Sequence, residues 1–582
     1  MFFLKKKSLG IKKNNLVFIE NFLDPITKKE ILSKGYKYEM FKVHHNINKL
    51  TTDLKKTYKI YFKVLKKIEI QIKNLTSKKI SSKVINLIFS KWLLHYISIT
   101  LYKYKVLSKI KKKYPEFGVV QIKDKNLSDE DKNLLTPDTT VLFYKHTHDI
   151  AKTLGAGSIQ ITLSSLSELV KFVPANKSIM GRNKYKPTLY IKFVLSKISI
   201  LISKFFFGRT IYLHDETFNF LNIWKLIINS GFRFSYLFFI EDKIYNIKKE
   251  KVPISFKKIK PDNPLEKILF ENFLKYVPKS IPELLNYYSD TKNIKSKKFK
   301  NLIVSKRFFG TGHIKFVKFL IKNINNSILL SYQHGGAYGH EKYFIPEESE
   351  KMSSDYFISW GWKNKKVFPL PMNKSNLVYK KNKRKSYCLF VTWSPTYAYL
   401  SYGNNAEILP KFSMKPTYEL LKNISKKNNT ILRLPPYHWR NQQLWRDLEF
   451  FSQIKKIKID DHKKNFENMA INSKFVIINH LNTTTLQTLS MNIPTLIYCD
   501  KNLIQYNNVA SKFLKKLRKE KIFFYNHYEL FNFLKKNKFD LNNWWYKKKT
   551  QSTINDFCKY YCLRKDNWHE DWILKLNSIN KS

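Results

Sequence analysis

The chain has 582 residues, 43% hydrophobic and 15% aromatic, which is too long for one core and too apolar for disorder, so two or three domains are expected. Its formal charge of +63 is almost all lysine, with ten arginines among 107 basic residues. No nucleic-acid-binding motif accompanies that charge, which sets a nucleic-acid partner aside and leaves a solvated lysine surface, compatible with peripheral contact with an anionic membrane.

In chain order, Met1-Phe-Phe-Leu-Lys-Lys-Lys is too short an apolar start for a signal peptide. Residues 40–110 predict helix: Trp92, Leu93, Tyr96, Ile99, Thr100 and Lys103 recur at three-to-four spacing without proline. Residues 111–140 are polar, hold Pro115 and Pro137, and predict a long loop. Residues 141–230 mix helices with strand-like runs such as Thr210-Ile-Tyr-Leu213. The longest apolar zone, Pro187 to Gly208, is broken by Lys192, Lys197 and Lys204. Those charges argue against a bilayer span and leave room for an interfacial helix. Residues 245–265, lysine-rich with Pro253, Pro261 and Pro264, predict an exposed connection.

From 300 the texture is that of a parallel α/β sheet. Asn301-Leu-Ile-Val-Ser305 and Ser327-Ile-Leu-Leu-Ser-Tyr332 read as strands around a helix at 314–324, a βαβ unit. A second series follows: strands at 386–392, 430–434, 474–479, 495–499 and 522–525, with helices at 464–472 and from 485 to about Met491. Four cysteines (Cys388, Cys499, Cys558 and Cys562) show neither a CxxC pair nor zinc spacing. They predict packing or free thiols in a reducing compartment.

Three loops follow strand ends, where open α/β sheets bind ligands. In Gln333-His-Gly-Gly-Ala-Tyr-Gly339 the glycines matter because the chain has only 15, six of them (Gly310, Gly312, Gly335, Gly336, Gly339 and Gly361) between 310 and 361. Gly335 and Gly336 are expected to turn backbone N–H groups towards an anion, with His334 as general base on an acceptor hydroxyl or as donor to a phosphate, and Gln333 and Tyr338 beside it. In the second loop, Asn482, Thr483, Thr484 and Thr485 offer hydroxyls and N–H groups to a diphosphate at a helix start. In the third, Trp393-Ser-Pro-Thr-Tyr397 lies near Arg433, whose guanidinium would neutralise a leaving phosphate. Arg307 and Arg440 stand out because lysine serves nearly everywhere else. The Gly310-Thr-Gly-His313 turn is too common a pattern to assign.

Tyr332-Gln-His-Gly-Gly-Ala-Tyr-Gly339, Ser354-Asp-Tyr-Phe-Ile-Ser-Trp-Gly-Trp362, and Asn482-Thr-Thr-Thr-Leu-Gln-Thr-Leu489 with Asn492-Ile-Pro-Thr495 resemble a family of transferases of bacterial surface-polysaccharide (O-antigen) biosynthesis. Lys91-Trp-Leu-Leu94 and Asn543-Trp-Trp545 are similar to that family's N-terminal and C-terminal helical segments. The resemblance implies an α/β fold of two Rossmann-like domains facing a cleft (GT-B-like), with an added N-terminal helical region. It implies a cytoplasmic, metal-independent glycosyltransferase, without cofactor, that takes a nucleotide-sugar donor and a polysaccharide or lipid-linked acceptor. The layout is also distantly similar to teichoic-acid glycerophosphotransferases, in which a His-Gly turn supplies a catalytic histidine, here His334. Gln487 stands where GT-B donor loops often carry an acidic residue for a ribose hydroxyl.

The expected organisation is a first domain at 1–345 with a helical insertion at about 40–110, a linker at 346–384, a donor-binding domain at 385–540 and a helical segment at 541–582. Two other functions stay open: transfer of a polyol phosphate from a CDP-activated donor, and non-enzymatic binding of an anionic polymer.

Overall fold

A computed structural model describes residues 2–3, 16–19, 29, 32–35, 37–44, 46–75, 81–123, 140–162, 187–208, 210–215, 217–240, 260–290, 300–306, 313–372, 386–393, 407–435 and 447–581. Three sheets organise them. The first holds β1 (Phe2–Phe3), β2 (Leu16–Ile19), β3 (Lys37–Glu39), β4 (Gly118–Lys123) and β5 (Gly157–Thr162) in the order β3-β2-β1-β4-β5. Strand β1 is antiparallel to both neighbours and the other pairs are parallel. The loop expected at 111–140 therefore contains a strand, because Val119, Val120 and Ile122 form a β-branched run that pairs with β5.

The second sheet is parallel throughout: β6 (Ile211–His214), β7 (Phe234–Leu237), β8 (Asn301–Ser305), β9 (Ser327–Tyr332), β10 (Tyr356–Ser359) and β11 (Val367–Pro369), ordered β11-β10-β9-β8-β6-β7. The third is parallel as well: β12 (Cys388–Val391), β13 (Thr430–Arg433), β14 (Ile457–Ile459), β15 (Phe475–Ile478), β16 (Thr495–Tyr498) and β17 (Phe523–Phe524), ordered β14-β13-β12-β15-β16-β17. Strands such as Phe475–Ile478 and Thr495–Tyr498 are buried along their whole length, as strands covered on both faces must be. Counted from its own first strand, the third sheet reads 3-2-1-4-5-6 and the second 2-1-3-4-5-6. Both are doubly wound orders, so the two Rossmann-like units are present. Their topological switch points fall between β12 and β15, and between β6 and β8.

The stretch at 346–384, expected as a linker, instead carries part of helix Ile345–Met352 and the last two strands at one edge of the second sheet, β10 and β11, over its described part. The Tyr356–Ser359 run pairs with β9 and draws the sheet onward to Pro369.

Helices Ile47–Leu75 and Ser82–Lys113 fill the region expected to be helical. Among the described residues, Ser82–Lys113 is the one helix long and apolar enough to cross a membrane, but its apolar window is mostly buried inside the protein. Trp92 stacks on Tyr96 at 5.0 Å and both meet Phe273, so this is a core helix. At the other end, helices Lys548–Tyr561 and Trp568–Lys581 bring the chain back from the third sheet to the second. Leu563 N–H donates to the Trp360 carbonyl at 2.8 Å, Trp572 Nε1–H donates to the Pro371 carbonyl at 2.9 Å, and Trp572 packs edge-on against Tyr332.

Candidate active site

The Gln333–Gly339 turn leaves the carboxyl end of β9 and lands on the first residues of helix Thr483–Ser490, which follows the carboxyl end of β15. Gly336 N–H donates to Thr483 Oγ1 at 2.8 Å. A Cβ on Gly336 would lie 2.3 Å from Asn482 Cα, so at this position glycine is required for close approach. Neither Gly335 nor Gly336 has a positive φ; within the turn that conformation belongs to Ala337 and Gly339. The 339–342 segment is held by the same unit: Asn507 Nδ2 donates to the Gly339 carbonyl at 2.7 Å, and Lys342 N–H donates to the Gln505 carbonyl at 2.9 Å.

This joint corrects the expected anion nest. The N–H of Gly336 is taken by Thr483, that of Ala337 by His340 Nε2 at 2.9 Å, and that of Gly339 by Glu347 Oε2 at 2.7 Å. Gln333 is fully buried and is not placed to meet a ligand. Its amide nitrogen donates to the Gly335 carbonyl, and its oxygen accepts from Trp360 N–H and Trp362 Nε1–H. The residue shapes the turn.

His334 is the side chain of the turn that stays accessible, about one-third exposed. The Tyr338 hydroxyl lies 3.3 Å from both ring nitrogens and 3.1 Å from both carboxylate oxygens of Glu350. Glu350, almost fully buried on helix Ile345–Met352, also approaches His334 Nδ1 at 3.8 Å. A histidine backed by a tyrosine and a buried carboxylate has the layout of an oriented base. Glu350 escaped the sequence reading, although Glu347, Glu348 and Glu350 form an acidic cluster in a chain with only 44 acidic residues.

On the other side of the joint, the three threonine hydroxyls are engaged within the protein. Thr483 accepts from Gly336, Thr484 Oγ1 meets His480 Nε2 at 3.0 Å, and Thr485 Oγ1 donates to the His480 carbonyl at 2.6 Å. Burial pulls His480 down to about 3, so its ring is neutral. Nδ1–H then donates to Asn479 Oδ1, which also accepts Trp393 N–H at 2.8 Å and so links the loops on either side of the switch point. His340 is likewise fully buried and pulled down to about 3, against a smaller upward pull from the Leu481 backbone. The Asn482 side chain does not cap the following helix, whose first turn holds no acidic residue.

Two donor-side expectations need revision. Arg433 sits at the rim, but its guanidinium is ion-paired with Asp460 and donates to the Lys464 carbonyl at 3.2 Å. Gln487 is buried, and its Nε2 donates to Glu467 Oε1 at 2.7 Å. The carboxylate missing at 487 is thus present nearby, on helix Phe466–Ile471. Arg307, Gly310, Gly312, residues 394–397 and Arg440 lie outside the described residues.

The switch point of the second sheet holds a polar group that the sequence did not single out. His214 Nδ1 meets Ser305 Oγ at 3.1 Å, with its ring stacked on Phe316 at 3.9 Å and His313 edge-on at 6.3 Å. By contrast, the hollow bordered by Lys83, Lys300, Asp355 and Lys366 lies at the amino ends of β8–β10, away from His334. Among the described residues, no three His, Cys, Asp or Glu side chains converge as a metal site requires.

Two doubly wound units that meet at the carboxyl ends of their strands, with an oriented histidine at the joint, define a two-unit α/β protein of the GT-B-like kind. The chain belongs to the LIC12162 family of transferases, whose model matches residues 4–576. No curated protein matches it. Solved structures with a loose likeness include TarM from S. aureus, solved with fondaparinux, α-GlcNAc-glycerol and UDP, at 14% identity and a TM-score of 0.31, covering 52% of this chain. The chain spans 59% of TarM. Anabaena HepE, solved with UDP and glucose, has 10% identity and a TM-score of 0.35, covering 64% of this chain and all of HepE. The wall teichoic acid polymerase TagF has 11% identity and a TM-score of 0.30, covering 68% of this chain and 98% of TagF. At such scores and identities no site residue carries over.

Proposed function

We propose that this transferase moves a sugar from a nucleotide-activated donor to a surface-polysaccharide intermediate of the O-antigen or capsule type. One observation carries the reading: accessible His334, backed by Tyr338 and buried Glu350, stands where the carboxyl ends of two doubly wound sheets meet. His334 takes the proton of the acceptor hydroxyl as its oxygen attacks the anomeric carbon. The bond from sugar to phosphate breaks and the nucleoside diphosphate leaves. Glu350 favours the imidazolium that forms, directly and through the Tyr338 hydroxyl.

The leaving diphosphate is assigned to the uncapped start of helix Thr483–Ser490, where backbone N–H groups and the helix dipole favour negative charge. Arg433 is already committed to Asp460, and the threonine hydroxyls to their own neighbours, so the backbone carries that grip. Glu467, beside Gln487, offers the carboxylate for a ribose hydroxyl.

The test uses UDP-, GDP-, CMP- and CDP-linked donors with the full chain and His334→Ala. Sugar transfer is expected from one donor class and lost in the variant, with donor affinity retained. Full turnover by His334→Ala would remove His334 from the chemistry, and transfer of a polyol phosphate from a CDP-linked donor would replace the sugar reading.

A further inference from the structure

Helix Pro187–Phe207 is built inside out. Its buried residues are Ser196, Ser199 and Ser203, which lie against β7, an outer strand of the second sheet. An edge strand leaves backbone groups unpaired, and these hydroxyls serve them. Ser196 Oγ donates to the Tyr236 carbonyl at 2.8 Å and accepts Phe238 N–H at 3.1 Å. Ser199 Oγ accepts Tyr236 N–H at 3.0 Å, and Ser203 Oγ donates to the Arg233 carbonyl at 3.2 Å.

With its serines inward, the helix turns its apolar residues out. Ile191, Val194, Ile198, Leu201 and Phe205 recur at three and four residues along one face, and all are exposed, Leu201 by 67% and Phe205 by 85%. Phe206 adds to the face at 68% exposure. A continuous apolar stripe of this kind favours a covering partner.

Charge selects the partner. The helix has no acidic residue and carries Lys192, Lys197 and Lys204. Lys192 is paired with Asp215, while Lys197 and Lys204 are exposed on the helix. A second copy would bring the same lysines face to face on chains that each carry +63. An anionic bilayer meets them with opposite charge.

We propose that this face rests on an anionic lipid bilayer, its apolar stripe entering the boundary between headgroups and acyl chains, with Lys197 and Lys204 among the headgroups. The helix runs antiparallel to β7. Lys192 meets Asp215 just past the carboxyl end of β6, and Phe207 lies under Arg233 at the amino end of β7. The bilayer therefore runs along the edge of the second sheet to the end at which the candidate site opens.

The test is co-sedimentation of the full chain with phosphatidylcholine vesicles, with and without phosphatidylglycerol. The wild type should bind the phosphatidylglycerol vesicles, and added salt should weaken binding. Ile198→Glu/Leu201→Glu/Phe205→Glu should lower partitioning at least about tenfold. Leu201→Ser/Phe205→Ser, a milder change on the same surface, should lower it with an unchanged melting profile. Lys197→Glu/Lys204→Glu should remove the preference for phosphatidylglycerol. Absence of wild-type binding, or undiminished binding by the triple variant, would overturn the proposal. So would a concentration-dependent dimer in sedimentation velocity that Leu201→Ser/Phe205→Ser dissolves, because the face would then belong to a second copy.

Discussion

Gly336→Ala isolates the joint between the two units. The added methyl would lie 2.3 Å from Asn482 Cα and carbonyl carbon and 2.4 Å from Thr483 N, all backbone of the other unit. Carbon contacts are comfortable at about 3.5 Å, so relief requires a shift of about 1 Å. Gly336 has no positive φ, so alanine can adopt its backbone and the cost is steric. Overpacking costs about 1–3 kcal/mol, and losing the Gly336 N–H···Thr483 Oγ1 bond adds about 1 kcal/mol. Gly335→Ala is the control. Its methyl would stand 3.2 Å from Thr483 Oγ1, a side-chain tip that can yield by a few tenths of an ångström. Calorimetry should show Gly336→Ala lowering the first transition by several degrees while Gly335→Ala leaves it nearly in place. Transfer should fall about a hundredfold in Gly336→Ala, because His334 and the start of the Thr483 helix lose their mutual placement. A Gly336→Ala protein that melts and turns over like wild type would refute the close contact.

Other outcomes follow from the same geometry. Glu350→Gln should keep donor affinity, lower kcat about tenfold or more and move the acidic limb of the pH–rate profile; an unmoved profile would make Glu350 purely structural. Thr483→Val removes the acceptor for Gly336 N–H and should cost about 1–3 kcal/mol in denaturant unfolding, with Thr483→Ser close to wild type. His340 and His480 are held neutral at about 3 against an ordinary 6.5, so the unfolded chain binds more protons between those values. Their contribution is intact above pH 6.5 and lost as pH falls towards 3, about 2 kcal/mol each by pH 5. His340→Gln should therefore show a shallower fall in melting temperature from pH 7 to pH 5, and an equal slope would count against the burial argument. Because the helix start, and no metal, is assigned to the leaving diphosphate, transfer should survive a chelator.

The parallel strands are legible in the sequence because each is a short run of Val, Ile, Leu or Phe stopped by a polar or turn-forming residue. Asn301–Ser305, Ser327–Tyr332, Thr430–Arg433 and Phe475–Ile478 lie within one residue of the pattern. Strands β1 to β3, of two to four residues, are too short to show a period. Tyr356–Ser359 is apolar enough to be a strand, but its neighbours in a Trp-Gly-Trp motif draw the eye to function instead of pairing. At the site, glycine scarcity points to the turn and three successive threonines point to the helix start. What the threonines bond to depends on atoms brought from elsewhere in the chain, and spacing cannot report it. Helix Pro187–Phe207 shows the same limit: periodicity finds the apolar face, but only the unpaired backbone of β7 decides that the serines face inward.

The turn and its histidine thus divide their work. Four N–H groups of the turn donate within the protein: Gln333 to Ile358, Gly336 to Thr483, Ala337 to His340 and Gly339 to Glu347. A turn bonded in this way is a joint, and a joint needs small residues, which explains glycine in a chain that otherwise avoids it. The His334 ring projects from that joint towards Tyr338 and Glu350, so it is positioned by whatever holds the two units together. Substitutions should therefore separate. Gly336→Ala should disturb stability and transfer together through the placement of the units, whereas His334→Gln should stop transfer at unchanged stability. If His334→Gln also loosened the units, the histidine would belong to the joint and the base would have to be sought elsewhere on the rim, with His313 and His214 at the other switch point the first residues to examine.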